Sequence, residues 1–192
     1  GNSTAWNAMK SVVSTKNWVN IQQVLDIDTY IDFQILQRYG ANQDLKTNGN
    51  WRAAGGGPFT VATEMRPWKI FSWDGERVLE NAADRSVPLD PMGIRGTLET
   101  MPEYRLRFAD RAKMHLTGNG ALTPDRTRAR WAKYADVLDK AIIAESARWG
   151  DHRRNPSYTR TEWLTEQSRL YNTYFPVRTD NVIDELVADE LF

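Results

Sequence analysis

Apolar residues recur at helical spacing through most of the chain, which predicts a mainly helical protein. The pattern predicts a short amphipathic helix from Ser3 to about Ser14 and a second short helix around Ile21. The strongest early helix begins at Asp26 or Asp28 and ends at Gly40. Large apolar residues cover a broad face of this helix, namely Tyr30, Ile31, Phe33, Ile35, Leu36 and Tyr39. We therefore expect it to lie at the centre of the core.

Helical periodicity returns in the second half of the chain. One predicted helix begins near Pro102 and ends at Gly118. The longest begins at Thr123–Asp125, where a cap, a first-turn proline and an acid follow one another, and it ends near Gly150. A capping-box pattern at Thr159–Glu162 starts a further helix, which Pro176 interrupts before a final helix.

The longest predicted helix carries an acid on its apolar side. Glu145 falls on or near the stripe formed by Trp131, Tyr134, Leu138, Ile142 and Trp149. An unpaired buried carboxylate is costly, so we expect Arg148, one turn further on, to pair with Glu145. A structural ion pair is favoured here over a catalytic role.

Helical periodicity disappears between Asn42 and Pro67, and this is the only part with β character. Three short strands are predicted, at Trp51–Ala53, Phe59–Thr63 and Trp68–Trp73. We expect the last two to pair around a turn at Met65–Pro67. Gly55–Pro58 is too poor in P-loop features to bind phosphate and suits a hairpin tip. The fold class is mainly α (α+β): one domain of helices with a small β-hairpin insert.

The composition limits the chemistry that the chain can support. Its 25 basic and 25 acidic residues give zero formal net charge, so no nucleic-acid partner is expected. The absence of cysteine excludes disulfides and thiolate zinc sites. His115 and His152 lie on different predicted segments, so any metal should have oxygen ligands, and zinc, haem and flavin are not expected. No apolar run approaches the length of a membrane span, so membrane insertion is not expected.

Residues that suit a hard divalent cation lie in the loop after the central helix and after the last strand. Asp44 could orient an attacking hydroxyl, and Asn48 or Asn50 could offer a metal an amide oxygen. Asp74 could be the main metal carboxylate, with Glu76 beside it. The order of helix, loop, strands and second acid is that of protein kinases. Asp, Asn and Gly also make up ordinary solvated loops, and that interpretation stays open.

Several segments in order carry a family resemblance. They are Asp28–Tyr39, Ala41–Trp51, Phe71–Glu76, Leu98–Phe108, Ala144–Asp151 and Phe175–Arg178. Together they resemble the CotH family of spore-coat proteins, which are atypical kinases. The similarity covers nearly the whole chain, and several motifs in order are more specific than any one of them.

The resemblance implies a kinase-like fold that phosphorylates serine on protein partners, using ATP and Mg²⁺ or Mn²⁺. It matches Asp44 to the catalytic-loop aspartate and Asp74 to the metal-binding aspartate. Trp51 anchors the match and favours Asn50 as the metal-binding asparagine. The loop is one residue longer than the family's usual form, which keeps Asn48 as an alternative.

Kinases of this family place a β-rich lobe, with a nucleotide-contacting lysine or arginine, before the central helix. The 27 residues before Asp28 have a helical pattern instead. We therefore expect this chain to be the C-terminal lobe, without the N-terminal nucleotide-binding lobe, and to have negligible kinase activity alone. The alternative is a non-catalytic, pseudokinase-like interaction module of a bacterial coat or surface protein. In that case Trp51, Trp68 and Trp73 would form an aromatic contact platform. The resemblance implies a spore-coat or secreted location.

Overall fold

Helices make up most of the structure and one two-stranded antiparallel sheet interrupts them, which confirms the mainly helical class. The computed structural model describes residues 3–45, 49–56, 66–152 and 154–192. The first half contains α1 Ser3–Ser14, α2 Trp18–Val24, α3 Ile27–Gly40, β1 Trp51–Gly56 and β2 Arg66–Ser72. The second half contains α4 Arg95–Glu99, α5 Pro102–Leu116, α6 Pro124–Leu138, α7 Ala141–Trp149, α8 Arg160–Arg169 and α9 Phe175–Ala188. In the described part of the chain, no helix is long and apolar enough to cross a membrane.

The central helix of the core is α3, as its broad apolar face predicted. The Asp26 carboxylate caps its start by accepting a 3.0 Å hydrogen bond from the Thr29 N–H. The helix ends at Gly40, as predicted, and Ala41 takes the left-handed cap conformation with φ 49°. Both faces are covered, since α3 contacts β2, α5 and α9. Leu36 is the exception on the predicted face, because 47% of it is exposed.

The two strands pair differently from the expectation. β1 is antiparallel to β2, with Trp51 opposite Ser72, so the hairpin partner of β2 is β1. The strand predicted at Phe59–Thr63 lies outside the described residues, while Arg66–Pro67, expected in a turn, belongs to β2. A Cβ at Gly55 (φ 146°) would lie 2.6 Å from the backbone of β2, so only glycine allows this close pairing.

Helix α1 covers one face of the hairpin through tryptophan packing. The ring centroid of Trp6 lies 5.7 Å from that of Trp51 and 5.1 Å from that of Trp68. These two rings are part of the packed structure and do not form the predicted contact platform. Trp73 is 55% exposed and is the one member of the predicted trio that faces solvent.

The longest predicted helix is two helices in the structure. α6 ends at Leu138 and α7 begins at Ala141, with a turn between them. The Arg160 guanidinium donates two hydrogen bonds of 2.9 Å to the Asp139 carboxylate in this turn. This bidentate pair ties the turn to the start of α8, a contact that helical spacing alone does not predict.

Glu145 does not form the predicted ion pair. α7 buries none of its nine residues, so the Glu145 carboxylate is exposed and needs no partner to offset desolvation. The Arg148 guanidinium instead lies 4.9 Å from the centre of the Trp149 ring. The prediction of a structural Glu145–Arg148 pair on a buried face is therefore wrong.

The helix after the capping box changes type before Pro176. The predicted capping box is confirmed, and the Glu162 carboxylate accepts a 2.8 Å hydrogen bond from the Thr159 N–H. A π-helical turn at Leu170–Tyr174 then joins α8 to α9, which begins at Phe175. Within an α-helix, proline lacks the N–H for the helical hydrogen bond, and its ring clashes with the carbonyl one turn earlier. The wider π-helical turn before Pro176 accommodates the missing hydrogen bond and the ring.

Candidate functional site

The candidate site lies where two loops meet at one end of the hairpin. Because Trp51 pairs with Ser72, the residue before β1 and the residue after β2 share this end. These residues are Asn50 and Trp73, and Asp74 follows directly. Paired strands lie about 4.8 Å apart. The register therefore places the loop that holds Asn50 beside the loop that holds Asp74.

A chain of four hydrogen bonds connects β2 to the loop before β1. The Gln37 amide donates to the Ser72 hydroxyl at 2.9 Å, and the Asn42 amide donates to Oε1 of Gln37 at 2.7 Å. Oδ1 of Asn42 accepts from the Asp44 N–H at 3.0 Å, and Oδ2 of Asp44 accepts from the Asn50 amide at 2.8 Å. Gln37 and Asn42 are buried, so the hydrogen bond between their side chains is shielded from water, while the other three bonds are partly buried.

Asn50 is oriented by its hydrogen bond to Asp44. Since Nδ2 of Asn50 faces the Asp44 carboxylate, the other end of the amide, Oδ1, is the atom that can act as a metal ligand. Asn50 has a left-handed backbone, with φ 55°. Asparagine tolerates this conformation better than other side-chain-bearing residues, which suits it to this position.

Asp74 and Glu76 are exposed on the second loop. Asp74 also has a left-handed backbone, with φ 53°, at the point where the chain leaves β2. Non-glycine residues in this conformation cluster at functional sites. In the described part of the chain, no three Asp, Glu or His side chains come together in a metal-binding group.

Arg77 lies in the electrostatic field of three acids, Glu80, Asp44 and Glu76. Its pKa is raised above the usual range, first by a 3.3 Å hydrogen bond to Glu80 and also by the charges of Asp44 and Glu76. The guanidinium is exposed, so solvent screens these interactions. Each of the two loops therefore carries carboxylates, and the Arg77 guanidinium lies near them.

The segment after Asp74 is attached to the end of α3 and to the loop that follows. The Leu79 N–H donates to the Gly40 carbonyl at 2.7 Å, and the Gln43 N–H donates to the Arg77 carbonyl at 3.3 Å. The Gln43 amide also donates to Oδ2 of Asp84 at 2.6 Å. These bonds hold the two loops of the candidate site against each other.

Arg178, on α9, connects the end of α3 to the segment that follows Asp74. It is fully buried in α9, and its guanidinium donates to the carbonyls of Arg38 and Tyr39 at the end of α3. The same group donates to the carbonyls of Ala82, at 2.7 Å, and Asp84, at 3.0 Å. One buried cation therefore satisfies four backbone acceptors and fixes the spacing between α3 and the segment that follows Asp74.

The structure brings some of the predicted site residues together and leaves others apart. Asp44 and Asn50 are in direct contact, and the hairpin register places the backbone of Asp74 at the same end of the hairpin. Glu76 is exposed further along the second loop. Asn48, the alternative metal-binding asparagine, lies outside the described residues.

Two residues that support the site had no role assigned from the sequence. Gln37 is buried on α3, and a polar residue buried on a helix signals a buried hydrogen bond. Arg178 lies in one of the segments that carry the family resemblance, but its spacing indicates no partner. Its acceptors are distant in the sequence, so no local pattern identifies them.

Comparisons with protein-family models, curated proteins and solved structures find no match to this chain.

Proposed function

We propose that this chain is the C-terminal lobe of a CotH-like atypical protein kinase, which transfers phosphate from ATP to serine of a protein partner. The observation that carries the proposal is the 2.8 Å hydrogen bond between Asn50 and Asp44. It lies at the end of the hairpin that leads to Asp74. This arrangement supports the order of catalytic loop, hairpin and metal-binding acid that the resemblance implies.

Asp44 is suited to orienting the attacking hydroxyl. The Asn50 amide holds its carboxylate, and the Asn42 side chain holds its backbone. Catalysis of phosphoryl transfer depends mainly on positioning and electrostatics, so a carboxylate held in one orientation is useful. It can accept a hydrogen bond from serine and take the proton as the serine oxygen bonds to the γ-phosphorus of ATP and the bond from that phosphorus to the ADP oxygen breaks.

Asn50, Asp74 and Glu76 fit a Mg²⁺ or Mn²⁺ ion. Their amide and carboxylate oxygens are hard ligands, and Mg²⁺ in nucleotide sites uses one or two carboxylates together with phosphate oxygens and water. Such a site needs no cluster of three acids, and the described residues contain none. The bound ion would offset charge on the transferring phosphate. Asn48 stays the alternative amide ligand.

The second candidate function is a non-catalytic interaction module of a coat or surface protein. The outer face of the hairpin favours it, because Phe71 is 46% exposed and Trp73 is 55% exposed. The Arg52 guanidinium lies 4.8 Å from the centre of the Trp73 ring. Exposed aromatic and arginine side chains are typical of protein contacts. A partner captured equally well by the Asp44→Asn, Asp74→Asn double variant would favour binding over catalysis.

Calorimetry with Mg²⁺, in the presence and absence of ATP, tests the proposed site. We expect weak Mg²⁺ binding that Asp74→Asn, which keeps the shape of the side chain, weakens by about tenfold or more. Asp136→Asn, an exposed carboxylate on α6, is the matched control and should bind as the unmodified chain does. Equal affinities for the unmodified chain and Asp74→Asn would contradict the proposal.

A further inference from the structure

A groove of about 370 Å³ lies between α7 and α8, and none of the candidate kinase-site residues line it. Three aromatic side chains, Trp149, Tyr158 and Trp163, line it together with Ile142. Trp149 is 52% exposed and Tyr158 is 49% exposed, so their rings are accessible from solvent. This size and apolar lining are typical of a site for a small molecule or one side chain.

All the charged residues that line the groove are acidic. Glu145, Glu162 and Glu166 line it, and among its described lining residues there is no lysine or arginine. Glu162 is in an ion pair with Arg154 and Glu166 with Arg169, whereas the exposed Glu145 carboxylate has no ion pair within the described residues. The groove therefore offers a negative charge next to aromatic rings.

The rings of this groove already attract cations from the chain itself. The Arg154 guanidinium lies 4.2 Å from the centre of the Tyr158 ring, and the Arg148 guanidinium lies 4.9 Å from that of Trp149. Cations are attracted to ring faces within about 6 Å, and aromatic sites recognise quaternary ammonium groups in this way.

We propose that the groove between α7 and α8 binds an organic ammonium cation with an apolar surface, through Trp149, Tyr158, Trp163 and the Glu145 carboxylate. The cation can be a free quaternary ammonium compound or a trimethylated lysine side chain of a protein partner, since both end in the same trimethylammonium group. A partner would also cover α7, which buries none of its residues. The proposal does not depend on the kinase site.

Choline and its uncharged isostere 3,3-dimethylbutan-1-ol separate cation recognition from simple apolar binding. Titrations of ¹⁵N-labelled protein, with sodium chloride as the salt control, follow the indole N–H signals of Trp149 and Trp163. We expect saturable shifts with choline and a dissociation constant about tenfold lower than that of the alcohol. Equal binding of the two compounds, or shifts that sodium chloride reproduces, would overturn the proposal.

Glu145→Gln tests the carboxylate without a risk to folding, because this side chain is exposed. It should weaken choline binding several-fold, whereas Glu103→Gln, an exposed acid on α5, should leave it unchanged. Equal weakening by both variants would contradict a local site. A parallel titration with N-acetyl-trimethyllysine methylamide identifies the source of the cation. Tighter binding than choline supports a trimethylated lysine side chain of a partner, and weaker binding supports a free compound.

Discussion

Nδ2 of Asn50 lies 2.8 Å from Oδ2 of Asp44 and donates a hydrogen bond to it. Because Asn50 has φ 55°, replacement by glycine removes the side-chain amide without steric strain in the backbone. We expect Asn50→Gly to weaken Mg²⁺ binding about tenfold, since a ligand and the support of Asp44 are both lost. The free energy of unfolding should change by less than about 1.5 kcal/mol. Calorimetry and urea unfolding measure the two quantities, and an unchanged affinity would remove Asn50 from the site.

The backbone of Asp74 predicts a difference between two substitutions that both remove its carboxylate. With φ 53°, alanine is strained at this position and glycine is not. Asp74→Gly should therefore be more stable than Asp74→Ala by about 1 kcal/mol. Both should lose Mg²⁺ binding to a similar degree. Urea unfolding checks the first expectation, and equal stabilities would show that the conformation carries no cost.

Replacing Arg178 should loosen the whole candidate site. Arg178→Met keeps much of the side-chain volume but removes the hydrogen bonds that the guanidinium donates to the carbonyls of Arg38, Tyr39, Ala82 and Asp84. Among the described residues, the Asp84 carbonyl is then left with no donor, while the other three keep one each. We expect a loss of about 3 kcal/mol or more in the free energy of unfolding. Amide exchange near Asp84 should also become faster.

Arg85→Met is the control for this change, because Arg85 is exposed in the same segment. Its effect on the free energy of unfolding should stay within about 0.5 kcal/mol. Similar losses for the two variants would mean that the buried contacts of Arg178 do not stabilise the fold.

The capping box of α8 predicts a stability change in acid. Hydrogen bonds from the Thr159 hydroxyl and N–H, and from Arg154, lower the pKa of Glu162 to about 2 from its usual 4.5. A lowered pKa contributes stability above the usual value, and this is lost as the pH falls from about 4.5 toward about 2. Glu162→Gln keeps the shape and removes the charge. Thermal unfolding should show that the gap between the two proteins closes in this window; a constant gap would contradict the assignment.

Local signals predicted the elements that depend on neighbouring residues. α3 and the capping box of α8 follow from periodicity and capping, so their bounds agree with the structure. The turn between α6 and α7 contacts Arg160, which is 21 residues from its partner Asp139. Periodicity cannot show such a partner. It also cannot show that the stripe beside Glu145 is exposed, with Tyr134 58%, Leu138 51% and Trp149 52% accessible.

For the candidate site too, the sequence predicts the residue types but not how they are arranged. Asp44, Asn50 and Asp74 are visible in the sequence because their residue types suit the proposed chemistry. Their arrangement depends on contacts over long sequence distances, such as the bond from Arg178 to the Tyr39 carbonyl across 139 residues. The pairing of β2 with β1 likewise depends on a close backbone approach that composition alone does not specify.

Paramagnetic broadening by Mn²⁺ tests the central claim most directly, because it reports the position of a bound cation without requiring activity. In an NMR titration, the amide signals of Asn50, Trp73 and Asp74 should broaden first, since these residues share one end of the hairpin. The effect should disappear in Asp74→Asn and persist in Asp136→Asn. Broadening centred on another part of the chain, or an unchanged pattern in Asp74→Asn, would contradict a divalent-cation site between the two loops.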